Sequence, residues 1–157
     1  MQNTLKRSGI IVAILVPALA AAQTGRPESG NRVADSSHSI QAQPGTSAAL
    51  AAVLTRSCGD CHSNTMVSRW YTRMPPFSTI MSRGASEGRK AVNFSEWTGY
   101  SPEQQRAFLV ASCKDATLGK MPVPSYLRVR GDARLTAADV ATICSAAQPT
   151  EQAPREP

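Results

Sequence analysis

The sequence predicts an all-α domain of about four short helices joined by long loops. Three observations carry this. No stretch shows sustained period-two alternation of apolar and polar residues, the mark of a half-buried strand. Several segments place apolar residues three and four apart behind a residue that caps helices. The part able to fold is about one hundred residues, 46–147, enough for one small domain with one core.

The chain before that domain divides in two. Lys6 and Arg7 precede a short apolar run over 9–19, broken by Pro17 and followed by small-x-small sites ending at Ala22. This is the pattern of a secretory signal peptide, 1–22, cut near Ala22. The rival is a retained anchor, but the run is shorter than the roughly 18 apolar residues a span needs. Nothing else is long and apolar enough for a stable membrane span, and no cysteine near the cut offers a lipid attachment point. The expected location is the periplasm, where disulfides are permitted. Residues 23–45 are rich in Gly, Ser, Pro, Gln and Asn and read as a disordered linker, with His38 exposed in it. The tail, 148–157, holds three prolines and also reads as disordered.

Within the domain, Thr46 or Ser47 caps a first helix running from Ala48 into Cys58, with Leu50, Val53 and Leu54 on one face. Pro75-Pro76 stops any helix. Phe77 opens another helical segment that Gly84 and Gly88 are expected to loosen. Residues 93–97 read as a loop whose Phe94 and Trp97 must be buried. Ser101-Pro102-Glu103-Gln104 is a helix start: Ser caps, Pro takes the first turn and Gln bonds back. That helix ends before Gly119. Pro122 and Pro124 then force 119–126 to be extended. Thr136 opens a last helix, with Val140, Ile143 and Cys144 inward.

The chemistry-bearing stretch is Cys58-Gly59-Asp60-Cys61-His62, the Cys-x-x-Cys-His spacing of a c-type haem attachment site. Two thiols on one helical turn suit thioethers to one porphyrin, and the next imidazole supplies an iron ligand. Export supports this reading, because bacterial c-type haem is attached outside the cytoplasm. A thiol-disulfide centre is an alternative, but that motif belongs after a strand in a βαβ unit, and none precedes Cys58. Zinc lacks a second ligand pair. For the second axial position the candidates are Met66, Met74, Met81, Met121, His38 or none. Met121 is favoured: it lies 59 residues after His62, on a proline-stiffened loop that presents a thioether to a fixed point. Met74 and Met81 read as core filler.

The formal charge of +6 falls to +4 once the signal, with Lys6 and Arg7 and no acid, is gone. That charge suits docking to an acidic redox partner or an ordinary solvated surface. Basic residues are scattered without interleaved aromatics, which argues against nucleic acid.

Residues 58–64, Trp70-Tyr71, Pro76, Glu87-Gly88-Arg89, the stretch 93–97, Met121-Pro122-x-Pro124-Ser125-Tyr126 and 133–136 together resemble the small haem-binding domain of exported bacterial proteins. The resemblance implies a cytochrome c-like module with one covalent haem c. Cys58 and Cys61 would be its thioether sites, with His62 and Met121 its axial ligands. It implies electron transfer and a need for haem-attachment machinery. Cys113 and Cys144 depart from the family pattern, and in an oxidising compartment a disulfide between them is expected, the alternative being two buried thiols. The overall expectation is an electron carrier rather than an enzyme. An open sixth iron site would instead suit a redox or gas sensor or a peroxidase-like protein, and a chain without haem a Cys-x-x-Cys thiol-disulfide oxidoreductase.

Overall fold

The computed structural model describes residues 36–67 and 69–148. The expected signal peptide with its cut near Ala22, the first part of the linker and the tail beyond Gln148 lie outside the described residues. Among those described there is no strand, and the fold is all-α.

Helix α1, Ala48–Val53, is capped by Ser47, whose Oγ accepts from Leu50 N at 3.1 Å. It continues without a break through a π turn, Leu54–Cys58, into α2, Gly59–His62. The Cys-x-x-Cys-His motif therefore closes one helical run, and π turns recur at functional sites. Helix α3 spans Phe77–Ala91. It is unbroken, so Gly84 and Gly88 do not loosen it. The expected loop after it is a 3-10 segment, Phe94–Gly99, that buries Phe94 and Trp97. Helix α4, Pro102–Thr117, opens with the reciprocal cap anticipated from Ser101 and Gln104. The proline-rich stretch is not extended as expected: Gly119 is left-handed, Lys120 N and Met121 N bond back to Asp115 O, and 121–122 form a bend. Pro124 takes the first position of a one-turn helix, α5, Pro124–Leu127, the place where a missing N–H costs nothing. Helix α6, Ala137–Ala147, starts on a Thr136–Asp139 capping box.

Cys113 of α4 and Cys144 of α6 form a disulfide, as expected, with Cα atoms 4.7 Å apart. Arg56, in the π turn, donates to Asp139 Oδ2 at 2.7 Å and ties the start of α6 to the motif helix. Two apolar clusters result. One gathers Ile40, Leu50, Leu54, Phe94, Trp97 and Ile143; the other gathers Met66, Met81, Ala85, Tyr126 and Ala133. Met81 is core filler as expected, whereas Met74 is 49 % exposed.

The linker boundary at Gly45 needs correcting. Ordered backbone already begins at Ser36, with short 3-10 turns at Ser36–His38 and Ile40–Ala42. The cause is one side chain. Ile40 is 2 % exposed, inserted in the main core, and its carbonyl accepts from Thr46 Oγ1 at 2.6 Å. His38 is exposed, as expected, and its Nδ1 is 2.7 Å from Thr98 Oγ1. Ile40→Ala should cost about 2–5 kcal/mol, the usual range for emptying a packed aliphatic site. An unchanged thermal midpoint would restore the boundary at Gly45.

Candidate functional site

Cys58, Cys61, His62 and Met121 all line one cavity of about 500 Å³. Small-molecule and cofactor pockets run from about 300 to 1,000 Å³. Its walls are apolar: Leu54, Val92, Phe94, Phe108, Leu135 and Ile143 contribute. Both thiols are free of any disulfide. The donor set and the apolar cradle together fit a haem.

His62 is prepared as a metal ligand. Its Nδ1 lies 3.2 Å from the Val92 carbonyl, which can only accept, so the ring proton sits on Nδ1 and the lone pair on Nε2. Burial lowers its pKa from the ordinary histidine value, which favours the neutral imidazole that a metal requires. The cysteines are the opposite of a redox pair. Burial pushes the Cys58 thiol up to about 12 and raises Cys61 as well. A thiol-disulfide enzyme needs a thiol lowered towards neutrality. Among the described residues, no group of three or more His, Cys, Asp and Glu side chains is arranged to hold a metal ion, so nothing supports the zinc reading.

Met121 is placed by the end of α4. Gly119 adopts φ +64°, a left-handed conformation that favours glycine. It closes a Schellman cap: Gly119 N donates to Ala116 O at 3.1 Å and Lys120 N to Asp115 O at 2.9 Å. Met121 N also donates to Asp115 O, at 3.3 Å. Of the methionines and histidine considered as second ligand beside His62, Met121 is the one that lines the cavity. Met66 and Met81 sit in the second core, and Met74 and His38 face elsewhere. Met121 itself is 42 % exposed, at the rim.

Helix α3 packs directly on the motif. A Cβ at Gly88 would meet the Cys61 carbonyl oxygen at 2.5 Å and its carbon at 3.0 Å. Arg89 Nε donates to Ser63 O at 2.6 Å. The residues after the motif are pinned to the 3-10 segment: Asn64 N donates to Ser95 Oγ at 3.0 Å, and Asn93 Nδ2 to Asn64 Oδ1 at 2.7 Å. These explain why the stretches 63–64, 87–89 and 93–97 stand out in the sequence.

Sequence reasoning missed the group beneath the motif. Asp60, between the two cysteines, is 5 % exposed. Its Oδ2 accepts from the Arg130 guanidinium and from Tyr126 Oη at 2.8 Å, and its Oδ1 from Val67 N at 3.1 Å. Arg130, equally buried, also grips Asp132 in a forked contact and reaches the Arg56 carbonyl. Burial and then Asp60 raise the Tyr126 pKa, which keeps its hydroxyl protonated as the donor. An acid inside a Cys-x-x-Cys-His motif, with a distant arginine followed two residues later by aspartate, was the available signal.

An all-α domain with two thiols, an imidazole and a thioether around an apolar cavity is built as a haem-binding protein. The chain belongs to the haem-binding domain family, whose model matches residues 17–148 and so spans every residue of this site. No curated protein and no solved structure matches the chain.

Two variants test the supports of this site. Gly88→Ala should destabilise by about 1–3 kcal/mol through overpacking. Gly84→Ala, whose Cβ would sit 3.8 Å from Cys61 Sγ, should keep or raise stability. Equal thermal midpoints for the two would refute the close-approach argument. Arg130→Met strands a buried carboxylate and should cost about 3–5 kcal/mol in urea unfolding, with part recovered in Asp60→Asn/Arg130→Met. No recovery in the double variant would show that the two residues act separately.

Proposed function

We propose that this chain is an exported, mono-haem c-type cytochrome domain that transfers one electron at a time in the periplasm. One observation carries the reading: both motif thiols, the His62 imidazole and the Met121 thioether line a single apolar cavity. Cys58 and Cys61 would hold the porphyrin as thioethers after attachment by dedicated machinery. Their buried, protonated thiols suit addition across a vinyl group better than disulfide exchange. His62 Nε2 and Met121 Sδ would be the axial ligands. Bound there, haem iron supplies a one-electron couple, and His/Met ligation raises its potential. The chain's own part is to orient His62 through Val92, exclude water with Leu54, Phe94 and Ile143, and present Met121 from the α4 cap.

A second reading has one observation in its favour. Met121 is 42 % exposed, so side-chain packing does not clamp it in the cavity. An open sixth position would then suit a sensor or a peroxidase-like protein.

The test is expression with haem-attachment machinery, followed by intact mass and a pyridine haemochrome spectrum. The processed chain should gain one haem, and Cys58→Ala/Cys61→Ala should lose it from the denatured protein. A colourless product with the mass of the bare processed chain refutes the proposal. In the optical spectrum of the native protein, without pyridine, the low-spin signature should become high-spin in Met121→Ala, and Met121→His should lower the reduction potential. A high-spin wild type would select the open-site reading.

A further inference from the structure

We propose that the exposed face formed by Trp70, Met74, Phe77 and Ile80 is the docking surface for the electron-transfer partner, a redox protein whose contact face is apolar at its centre and rimmed by carboxylates. This rests on the one-electron reading above.

The face grows out of the cavity wall. On α3, Gly84, Glu87, Gly88 and Ala91 line the cavity, while Ser78, Met81 and Ala85 are buried on the neighbouring arc. At 3.6 residues per turn, Phe77 and Ile80 fall on the cavity-lining arc, not the buried one. Yet they lie beyond the cavity's end and are 40 % and 56 % exposed. Ile80 precedes Gly84 by one helical turn, about 6 Å along the axis. The preceding turn adds Trp70, 71 % exposed and edge-on to Tyr71 with ring centroids 5.8 Å apart, and Met74, whose carbonyl accepts from Ser78 N at 3.0 Å. Phe77 and Ile80 thus extend the cavity's wall into solvent, and Met74 and Trp70, just before α3 in the chain, add exposed apolar surface. Exposed apolar patches of this kind mark interaction sites, and Trp and Met are enriched at protein interfaces.

Charge selects the occupant. Residues 61–86 contain Arg69, Arg73 and Arg83 and no aspartate or glutamate. All three arginines are exposed. Glu87, exposed on the same arc, is paired with Lys90 at 3.0 Å, so the rim is net cationic. An apolar centre with such a rim complements an acidic face, and steering by such charge raises association rates. An anionic membrane would also attract tryptophan and arginine. The continuity of Phe77 and Ile80 with the cavity wall favours a redox protein instead, because a partner seated here lies at the end of the helix that packs on Cys61.

The experiment uses the haem-loaded protein and photoreduced flavodoxin, an acidic one-electron donor, as probe. The second-order reduction rate should fall as salt rises. It should drop about tenfold in Phe77→Ser/Ile80→Ser and in Arg73→Glu/Arg83→Glu, with the salt dependence flattened in the second. Reduction by dithionite and the haem spectrum should not change in either variant. A flavodoxin rate that ignores salt, or that both variants leave unaltered, overturns the proposal. So does cosedimentation with phosphatidylglycerol vesicles that both variants abolish while the flavodoxin rate stays put, which would assign the face to a membrane. Failure of dithionite to reduce the wild type would instead sink the one-electron reading on which the surface depends.

Discussion

The close contact of α3 with the motif turn is the constraint on which the rest of the structure depends. At Gly88 the helix backbone comes so near the Cys61 carbonyl that no side chain fits between them. That approach sets the path of the chain leaving α3. Four residues further on, the Val92 carbonyl reaches His62 Nδ1 and decides which imidazole nitrogen faces away with its lone pair. The same approach makes α3 a wall of the cavity. One missing methyl group therefore links the helix packing, the histidine tautomer and the shape of the site.

Beneath the motif the chain uses charge where a small domain would ordinarily use apolar packing. Burying Asp60 and Arg130 carries a desolvation cost that their mutual attraction only partly offsets. The arrangement is tolerated because each group is multiply bonded: Asp60 by Arg130, Tyr126 and the Val67 amide, Arg130 by two carboxylates and a carbonyl. Its yield is directional. Apolar contact would let the motif helix slide, whereas the hydrogen bonds that Tyr126 and Arg130 donate to Asp60 fix its register and link it to residues up to seventy positions away. Tyr126 belongs at once to this network, to the second core and to the cavity lining, so the charged cluster bears directly on the site.

What the sequence disclosed and what it hid follow the range of the interactions involved. Caps are local, and those at Ser47, Ser101 and Thr136 were legible because donor and acceptor lie three residues apart. The thiol-imidazole motif was legible for the same reason, and the Cys113–Cys144 pairing because only two cysteines remained. The hidden features need a partner from elsewhere in the chain. Gly88 read as a helix weakener because Cys61 is absent from any local window. Ile40 was lost in a polar stretch because its burial depends on Phe94 and Trp97, far along the chain. Arg130 looked like one more surface cation. Met74 was taken for core because methionine usually is, and only the packing of α3 reveals which neighbours point outward.

The two faces of the site are built with different stiffness, and this difference bears on how the protein works. On the His62 side, side chains and backbone are locked by hydrogen bonds to Val92, Ser95, Asn93 and Arg89. On the Met121 side, the backbone alone is held, by the Schellman cap of a helix that a disulfide ties to α6. The thioether rests at the rim, half in solvent. A loop anchored at its root and free at its tip can deliver a ligand without being distorted by it, and can release it at the cost of few contacts. The cap and the disulfide then serve to keep Met121 within reach of one point of the cavity. In the electron carrier proposed above, a rigid His62 side and a tethered Met121 side would let coordination persist while a single thioether bond set the potential.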